Sequence, residues 1–314
     1  MNRSIDVVAN PRAGGGRASR RLGDVCRELA RVGFSVNVHQ TARPGHATEI
    51  VRTLVSVGVE TIGVLGGDGT VHEALNGLFE PTKVPQVTAT QTAFAVLPAG
   101  TGGDLRKTLG IPEEPAEIAR YVADARPVAF DVGIVKYTAH DGGAGESMFV
   151  NIASFGVGGL VDQLVASGPK WLGGKAAYLT AGLRANLRYR NAPVRIVVDD
   201  ELMFEGPLLN AAVANGRAFG GGMFIAPNAD PHDGLFDIVV LGDMTLFESI
   251  GLSGKLYRGA HLSHPKVSHR RGRRVRAEKI GTLDALMDID GEAPGRVDAS
   301  FEIVPGAVRM LERS

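Results

Sequence analysis

The first 126 residues alternate between short apolar runs and longer stretches of helical periodicity. Four apolar runs predict strands, at residues 5–9, 34–39, 61–65 and 93–97. Apolar positions spaced three and four apart predict helices at residues 18–32, 47–57, 71–79 and 115–125. Strands alternating with helices predict a parallel sheet covered on both faces. We therefore expect a Rossmann-like, three-layer α/β domain.

The pattern changes near residue 127, where extended runs begin to dominate. They predict strands at residues 128–137, 147–154, 194–198, 208–214, 236–241 and 285–289, with helical patterns at 160–189 and 245–257. Asp-Gly pairs at Asp141, Asp233 and Asp290 are typical of hairpin turns. We predict a β-rich antiparallel sandwich domain over residues 127–303. The α/β domain spans residues 1–126 and is rejoined by residues 304–314.

Composition narrows the class of protein. A chain of 314 residues suits two domains, and its 42 glycines predict many tight turns and close backbone approaches to a ligand. The formal net charge of +0 argues against a nucleic-acid partner. A single cysteine, Cys26, excludes an internal disulfide framework and fits a reducing cytoplasm. With no signal peptide or membrane-spanning run, we expect a cytoplasmic protein that meets membranes only at their surface.

Glycine-rich or small-residue segments follow three predicted strands of the first domain. They begin at Asn10, Gly66 and Pro98. In a parallel sheet these segments share the carboxyl edge, where backbone amides can bind phosphate. Asp68 would repel a phosphate unless a divalent cation lay between them. From these residues alone, a tight turn in which Asp68 or Thr70 caps a helix remains an alternative.

Several motifs together resemble one family. They are Asn10-Pro11 with Gly14, the segment Gly66-Gly67-Asp68-Gly69-Thr70, and Leu97-Pro98-Ala99-Gly100-Thr101 with Asp104, followed by residues 230–237 and Asp290-Gly291-Glu292. In this order they resemble the diacylglycerol kinase catalytic domain family, and more narrowly its soluble bacterial lipid kinases, which are related to sphingosine and ceramide kinases. The resemblance covers nearly the whole chain. It implies a first domain similar to those of NAD kinases and phosphofructokinases.

The resemblance also implies site residues. Those that would bind ATP are Asn10, Pro11, Arg12, Ala13, Gly14, Thr41, Gly66, Gly67, Asp68, Gly69, Thr70, Val71, His72, Thr101 and Asp104. Asp68 and Asp104 would organise a catalytic Mg²⁺, with Asp131 in the same polar network. A structural Mg²⁺ would be held by Asp230, Asp233 and the carbonyl of Leu235; from the residues alone, an Asx turn is the alternative.

Asp290, Gly291 and Glu292 admit two interpretations. From the residues alone, Asp-Gly predicts an ordinary hairpin turn. The family resemblance instead implies that Glu292, with Asp290 beside it, removes the proton from the substrate hydroxyl; which of the two is the base stays open. This chain has Gly103 where the family usually has Asn, and Gly15 where some members have Lys. These two differences bear on the affinity for nucleotide.

A basic run between residues 268 and 279 could meet a membrane. A solvated hairpin is one interpretation of this run, and contact of Arg270, Arg271, Arg273 and Arg274 with anionic lipid headgroups is another. Trp171 is either an interface anchor or a packing residue, and His261 and His264 are expected at the surface. A homodimer is a further hypothesis.

Three functions follow from these patterns. The leading hypothesis is an ATP- and Mg²⁺-dependent lipid kinase that phosphorylates a hydroxyl of a diacylglycerol-like, ceramide-like or long-chain-base substrate, in lipid metabolism and phospholipid biosynthesis. The alternatives are a kinase of the NAD kinase type with a soluble substrate, and a non-catalytic sensor of lipid or nucleotide.

Overall fold

The chain forms two compact units. The computed structural model describes residues 3–79, 91–99, 103–167 and 189–313. One unit comprises Met1–Val132 together with Val304–Ser314, and the other comprises Gly133–Ile303. The sequence interpretation placed the boundary between residues 126 and 127, whereas the compact units divide between Val132 and Gly133.

Strands and helices alternate through the first part of the chain. Its elements are β1 (Arg3–Ala9), α1 (Ala13–Arg31), β2 (Phe34–Gln40), α2 (His46–Ser56), β3 (Thr61–Gly66), α3 (Asp68–Gly77), β4 (Ala93–Pro98), α4 (Asp104–Thr108) and α5 (Pro115–Asp124). Strands then predominate: β5 (Arg126–Ala139), β6 (Ala144–Phe149), β7 (Ile152–Gly156), α6 (Val157–Ser167), β8 (Ala192–Val198), β9 (Glu201–Leu208), β10 (Asn210–Ala214), β11 (Phe236–Leu241), α7 (Leu246–Leu256), β12 (Val267–Gly272), β13 (Arg274–Lys279), β14 (Met287–Ile289) and β15 (Gly295–Glu312).

The first unit contains a parallel sheet in the order β2-β1-β3-β4, to which the C-terminal part of β15 adds next to β4. Nearly every residue of β3 and β4 is buried, as expected for strands covered on both faces. Helix α1 packs with α5, and α2 packs with α3. At the α2–α3 contact, a Cβ on Gly77 would lie only 2.6 Å from the Thr48 carbonyl oxygen. The predicted α/β domain with a parallel sheet is confirmed.

The second unit is an antiparallel β-sandwich. One sheet has the order β12-β11-β10-β7-β14, and the other contains β13, β8 and β9 with the first part of β15, while β5 pairs with β6. Burial alternates along β8, so that every second side chain enters the core. Phe149 stacks on Phe236 with ring centroids 5.6 Å apart and meets the edge of Phe301 at 6.5 Å. The predicted sandwich is confirmed.

Two predicted elements of this unit differ from the structure. The single strand expected at residues 147–154 is divided into β6 and β7, because the backbone amides at the break turn toward Asp290. The basic run is not a hairpin: β12 pairs with β11, whereas β13 pairs with β15 and β8 in the other sheet. The chain therefore changes sheets around Arg273.

A second apolar layer covers the outer face of the five-stranded sheet. Ala212 and Val239 from the sheet pack there with Leu252 and Leu256 of α7. His261, expected at the surface, is instead fully buried and hydrogen-bonds the Ile225 carbonyl oxygen through Nε2 at 2.9 Å. None of the helices in the described ranges is both long and apolar enough to cross a bilayer. Trp171 and most of the predicted helical region at 160–189 lie outside the described residues.

Candidate active site

The three glycine-rich or small-residue segments lie at one edge of the parallel sheet. They follow β1, β3 and β4, which are neighbours, with Ala9 opposite Leu65 and Gly66 opposite Pro98. The fourth predicted contributor, Thr41, follows β2 and donates its amide to the Ala9 carbonyl oxygen at 2.9 Å. This is the carboxyl edge, where open α/β sheets bind ligands.

Hydrogen bonds join these three segments to one another. Asn10 Nδ2 donates to Thr70 Oγ1 at 3.2 Å, and the Ala99 amide donates to the Gly66 carbonyl oxygen at 3.2 Å. Gly66 must be glycine, because a Cβ there would lie 2.4 Å from the Thr70 Cβ. Thr70 and Val71 are almost fully buried, so their side chains pack inside the protein at this edge rather than facing solvent.

The first segment has an unusual backbone. Gly14, Gly15 and Gly16 have φ values of +62°, +68° and +85°, so regular helical geometry in α1 starts only after them. These conformations favour glycine strongly. A Cβ at Gly15 or Gly16 would meet no atom within 4 Å, which leaves this backbone open to a ligand. A lysine at position 15 would therefore fit in space but be strained in its backbone.

Asp68 and Asp104 come together across two segments. Asp68 lies in the first turn of α3, and its Oδ2 accepts the Asp104 amide at 3.2 Å. Asp104 is 7% exposed and binds Lys107 Nζ through Oδ1 at 2.7 Å. Neither Asp68 nor Thr70 caps α3 from its N-cap position, which is Gly67 without a side-chain hydrogen bond. Two carboxylates completed by water and phosphate oxygens form a typical Mg²⁺ environment.

The residue before Asp104 explains part of this geometry. Gly103 has φ +115° and ψ +93°, a region that side-chain-bearing residues avoid. Sequence reasoning noted this glycine only as a departure from the family. It missed Lys107, although a lysine three residues after an aspartate in a helix is a recognisable ion-pair signal. Thr101 lies outside the described residues.

Asp131, which the family resemblance placed in the same polar network, has a partner of its own. It is 2% exposed and accepts the Gly306 amide through Oδ1 at 2.8 Å. Both residues belong to the first unit. The contact joins Asp131 to the C-terminal strand.

In the second unit, residues 289–292 form a two-residue hairpin turn. Ile289 and Glu292 exchange backbone hydrogen bonds of 2.8 and 3.0 Å, while Asp290 and Gly291 have φ +50° and +90°. Positive φ at both central residues defines a type I′ turn. The Gly291 amide also donates to Asp288 Oδ1 at 2.7 Å, a contact that the sequence patterns did not predict.

The two carboxylates of this turn have different surroundings. Asp290 is 6% exposed and accepts the backbone amides of residues 150, 151 and 152 at 2.9 to 3.1 Å. Glu292 is exposed. Because its oxygens are already engaged by three amides, Asp290 is placed to hold the turn. Glu292 is the carboxylate better placed to meet a substrate.

The predicted structural Mg²⁺ site has a cation of its own. Arg271 forms ion pairs with Asp233 and, through Nε at 3.3 Å, with Asp237 Oδ2. Burial raises the pKa of Asp237, although Arg271 opposes that shift. Asp233 accepts the Leu235 amide and Asp230 accepts the His232 amide, as in Asx turns. Within the described ranges, no cluster of three or more acidic, His or Cys residues has the geometry of a metal site.

The basic run is largely neutralised by carboxylates. Arg270 pairs with Glu201 at 3.0 Å and Arg274 with Asp200 at 2.9 Å. With Arg271 held by Asp233, three of the four arginines predicted to contact a membrane have an acidic partner.

Comparisons with known proteins agree with this architecture. Residues 4–135 match a family model described as the diacylglycerol kinase catalytic domain. Residues 151–312 match a model described as the YegS C-terminal NAD kinase beta sandwich-like domain. The chain belongs to the diacylglycerol kinase family whose members combine these two domains.

Individual relatives extend along nearly the whole chain. A diacylglycerol kinase from Mycobacterium tuberculosis is 29% identical over 98% of this chain and 94% of its own length. A solved diacylglycerol kinase from Bacillus anthracis has a TM-score of 0.70 at 23% identity, covering 99% of this chain and 97% of that one. Yeast NADH kinase complexed with NADH shares the fold, with a TM-score of 0.51 at 11% identity over 100% of this chain and 84% of that one.

Proposed function

We propose that this protein is an ATP- and Mg²⁺-dependent lipid kinase. Its acceptor would be the hydroxyl of a diacylglycerol-like, ceramide-like or long-chain-base lipid. The observation that carries the proposal is the hydrogen bond from the Asp104 amide to the Asp68 carboxylate, which joins two of the three segments at this edge. The names of the relatives support a kinase that acts on a lipid.

The residues at this edge fit a metal–nucleotide complex. Gly15, Gly16 and Gly67 leave open space beside the backbone, which a phosphate chain needs. Asp68 and Asp104 offer hard oxygen ligands, which Mg²⁺ prefers. When bound, Mg²⁺ would neutralise charge on the phosphate oxygens of ATP. The protein's own task is then to hold the phosphates in position.

Glu292 is the proposed general base. It would accept the proton of the lipid hydroxyl as that oxygen forms a bond to the γ-phosphorus and the bond from phosphorus to the β-phosphate oxygen breaks, which releases ADP. The type I′ turn presents this side chain outward, while Asp290 fixes the turn by accepting three amides. Asp290 is accordingly a positioning residue.

A transfer assay with radiolabelled ATP tests this function. Diacylglycerol, ceramide and sphingosine are offered in mixed micelles, and NAD is offered in solution. We expect a labelled lipid and no labelled NAD. Transfer to NAD alone would support the alternative that the shared fold with NADH kinase allows. No transfer to any acceptor would contradict both kinase hypotheses and favour the non-catalytic sensor.

A matched pair of variants connects the activity to the edge. Asp68→Asn should lower transfer about a thousandfold, because a metal ligand is lost. Asp24→Asn is the control, since Asp24 is exposed on α1 and pairs only with Arg27 among the described ion pairs. Equal activity of the two variants would contradict the site.

A further inference from the structure

Helix α7 has apolar residues on two opposite faces. Leu252 and Leu256 face the core and are 3% and 7% exposed. Phe247, Ile250 and Tyr257 are 85%, 56% and 51% exposed. Because they are spaced three and seven residues apart, these three side chains share one outward stripe. A surface helix of a globular domain usually carries polar residues there.

Small residues make the stripe prominent. Gly251 and Gly254 lie on the same outward side, and a Cβ on either would meet no atom within 4 Å. The three large side chains therefore stand above a low surface. Phe247 in particular has almost its whole ring in solvent, at a position where a polar residue would cost nothing.

The charges around the stripe are positive. Lys255 and Arg258 are exposed at its C-terminal end, and in the described part of the chain neither forms an ion pair. The nearby carboxylate of Glu248 is already satisfied, since it binds Lys266 at 2.6 Å and closes a capping box with Thr245. These contacts lower the pKa of Glu248 to about 2, so its charge stays paired with that of Lys266.

The segment just before α7 carries a carboxylate, and an arginine is next in sequence to the asparagine that binds it. Asn191 donates to Asp243 Oδ1 at 2.6 Å and to the Met244 carbonyl oxygen at 3.0 Å, just before α7 begins. Its neighbour Arg190 is exposed. Exposed cations beside an apolar stripe, as at the C-terminal end of α7, are typical of helices that lie in the interface of an anionic membrane.

We propose that this stripe, together with Lys255 and Arg258, forms a docking face for the anionic phospholipid surface of a membrane. The proposal rests on the proposed function only in that a lipid kinase must reach an acceptor within a bilayer. The docking face differs from the basic run, whose arginines mostly have acidic partners. Its large side chains would enter the boundary between headgroups and acyl chains, while the two cations would contact lipid phosphates.

Vesicle flotation tests the apolar part of the docking face without any nucleotide. Vesicles contain equal parts of phosphatidylglycerol and phosphatidylcholine. We expect the wild-type protein to float with them, and Phe247→Ser/Ile250→Ser to reduce the bound fraction about tenfold or more, because two side chains no longer leave water. Leu202→Ser is the matched control, since Leu202 is 59% exposed on β9, and it should float like the wild type.

Charge reversal tests the cationic part. Lys255→Glu/Arg258→Glu should weaken binding to the mixed vesicles about tenfold or more and leave any weak binding to pure phosphatidylcholine unchanged. Arg52→Glu/Arg120→Glu is the control, because it makes the same change of charge at two exposed arginines of α2 and α5, outside both the docking face and the basic run. Unfolding curves of all variants should match the wild type, which excludes misfolding as the cause.

Three results would overturn the proposal. The first is no flotation of the wild type, the second is equal flotation of Phe247→Ser/Ile250→Ser, and the third is conversion of a dimer to a monomer by those changes in light scattering, which would assign the stripe to a second copy. The kinase assay tests the proposed function independently of the docking face. Flotation that depends on Phe247 without any lipid phosphorylation would uphold the docking face and refute the lipid kinase.

Discussion

Two segments, one from each unit, reach left-handed backbone conformations by different means. In the first unit, Gly14, Gly15 and Gly16 do so without side chains. In the second unit, Asp290 does so with a side chain, at φ +50°, and three backbone amides hold its carboxylate. Glycine leaves space for a ligand, whereas the anchored aspartate fixes the position of its neighbour Glu292.

A second turn also contains an aspartate with positive φ whose carboxylate accepts backbone amides. Asp199 and Asp200 have φ +47° and +69° between β8 and β9, and the Asp199 carboxylate accepts the amides of Arg273 and Arg274. Glu201 follows that turn as Glu292 follows the other, which provides matched controls for the next two predictions.

The largest expected effect concerns Glu292. Glu292→Gln should lower kcat about a hundredfold to ten-thousandfold, because it removes the proposed base, and it should leave stability unchanged because the side chain is exposed. Glu201→Gln should have nearly wild-type activity. The measurement is steady-state transfer to diacylglycerol in micelles, together with urea unfolding. Wild-type kcat in Glu292→Gln would remove this residue from the chemistry.

Replacing Asp290 should mainly lower stability, whereas replacing Glu292 should mainly lower kcat. Asp290→Ala leaves three buried backbone amides without an acceptor and should lower the free energy of unfolding by about 3 kcal/mol or more. Asp199→Ala, at an exposed turn, should cost about 1 kcal/mol. Urea titration measures both. If Asp290→Ala unfolded like the wild type yet lost its activity, Asp290 would act in the reaction instead.

Replacing glycine by alanine should have opposite effects on stability at two positions of α1. Gly15→Ala should destabilise by about 1–2 kcal/mol, because its φ is +68°. Gly23→Ala, in the regular part of α1 with open space at its Cβ, should stabilise by about 0.5–1 kcal/mol. Thermal unfolding compares the two. Stabilisation by both would mean that the backbone at Gly15 is not held left-handed.

The smallest effect is a pH dependence of the second unit. Burial lowers the pKa of His261 below its usual 6.5. The unfolded chain therefore binds more protons below pH 6.5, and stability falls as the pH falls through the lowered pKa, by less than about 1.4 kcal/mol per unit. His261→Gln keeps a donor for Ile225 and should flatten this slope in urea titrations. An unchanged slope would assign the acid sensitivity to other groups.

Local patterns predicted the fold class well and long-range contacts poorly. The alternation of strands and helices in the first part, the β-rich second part and the family were confirmed. A solvated hairpin was one interpretation of the basic run, yet its two strands join different sheets. Strand pairing of this kind depends on residues far apart in the chain.

In the candidate site, too, contacts between residues far apart in the chain were not predicted. Asp-Gly predicted the turn at Asp290, but the amides that hold its carboxylate come from residues 138 to 140 positions away. Likewise, Asp233 was predicted to be a metal ligand, but its ion pair with Arg271 on β12 was not foreseen. The ATP, Mg²⁺ and base assignments stay predictions until the variants are measured.

The last strand has a consequence for biosynthesis. Arg309 and Met310 of β15 pair with β4, whose apolar edge is otherwise uncovered in the described sheet of the first unit. In a ribosome-bound chain the edge of β4 therefore stays unpaired until the entire sandwich has been synthesised. The first unit, although translated first, is completed last, so a nascent chain that stalls before residue 304 would keep this edge exposed and bind chaperones rather than fold completely.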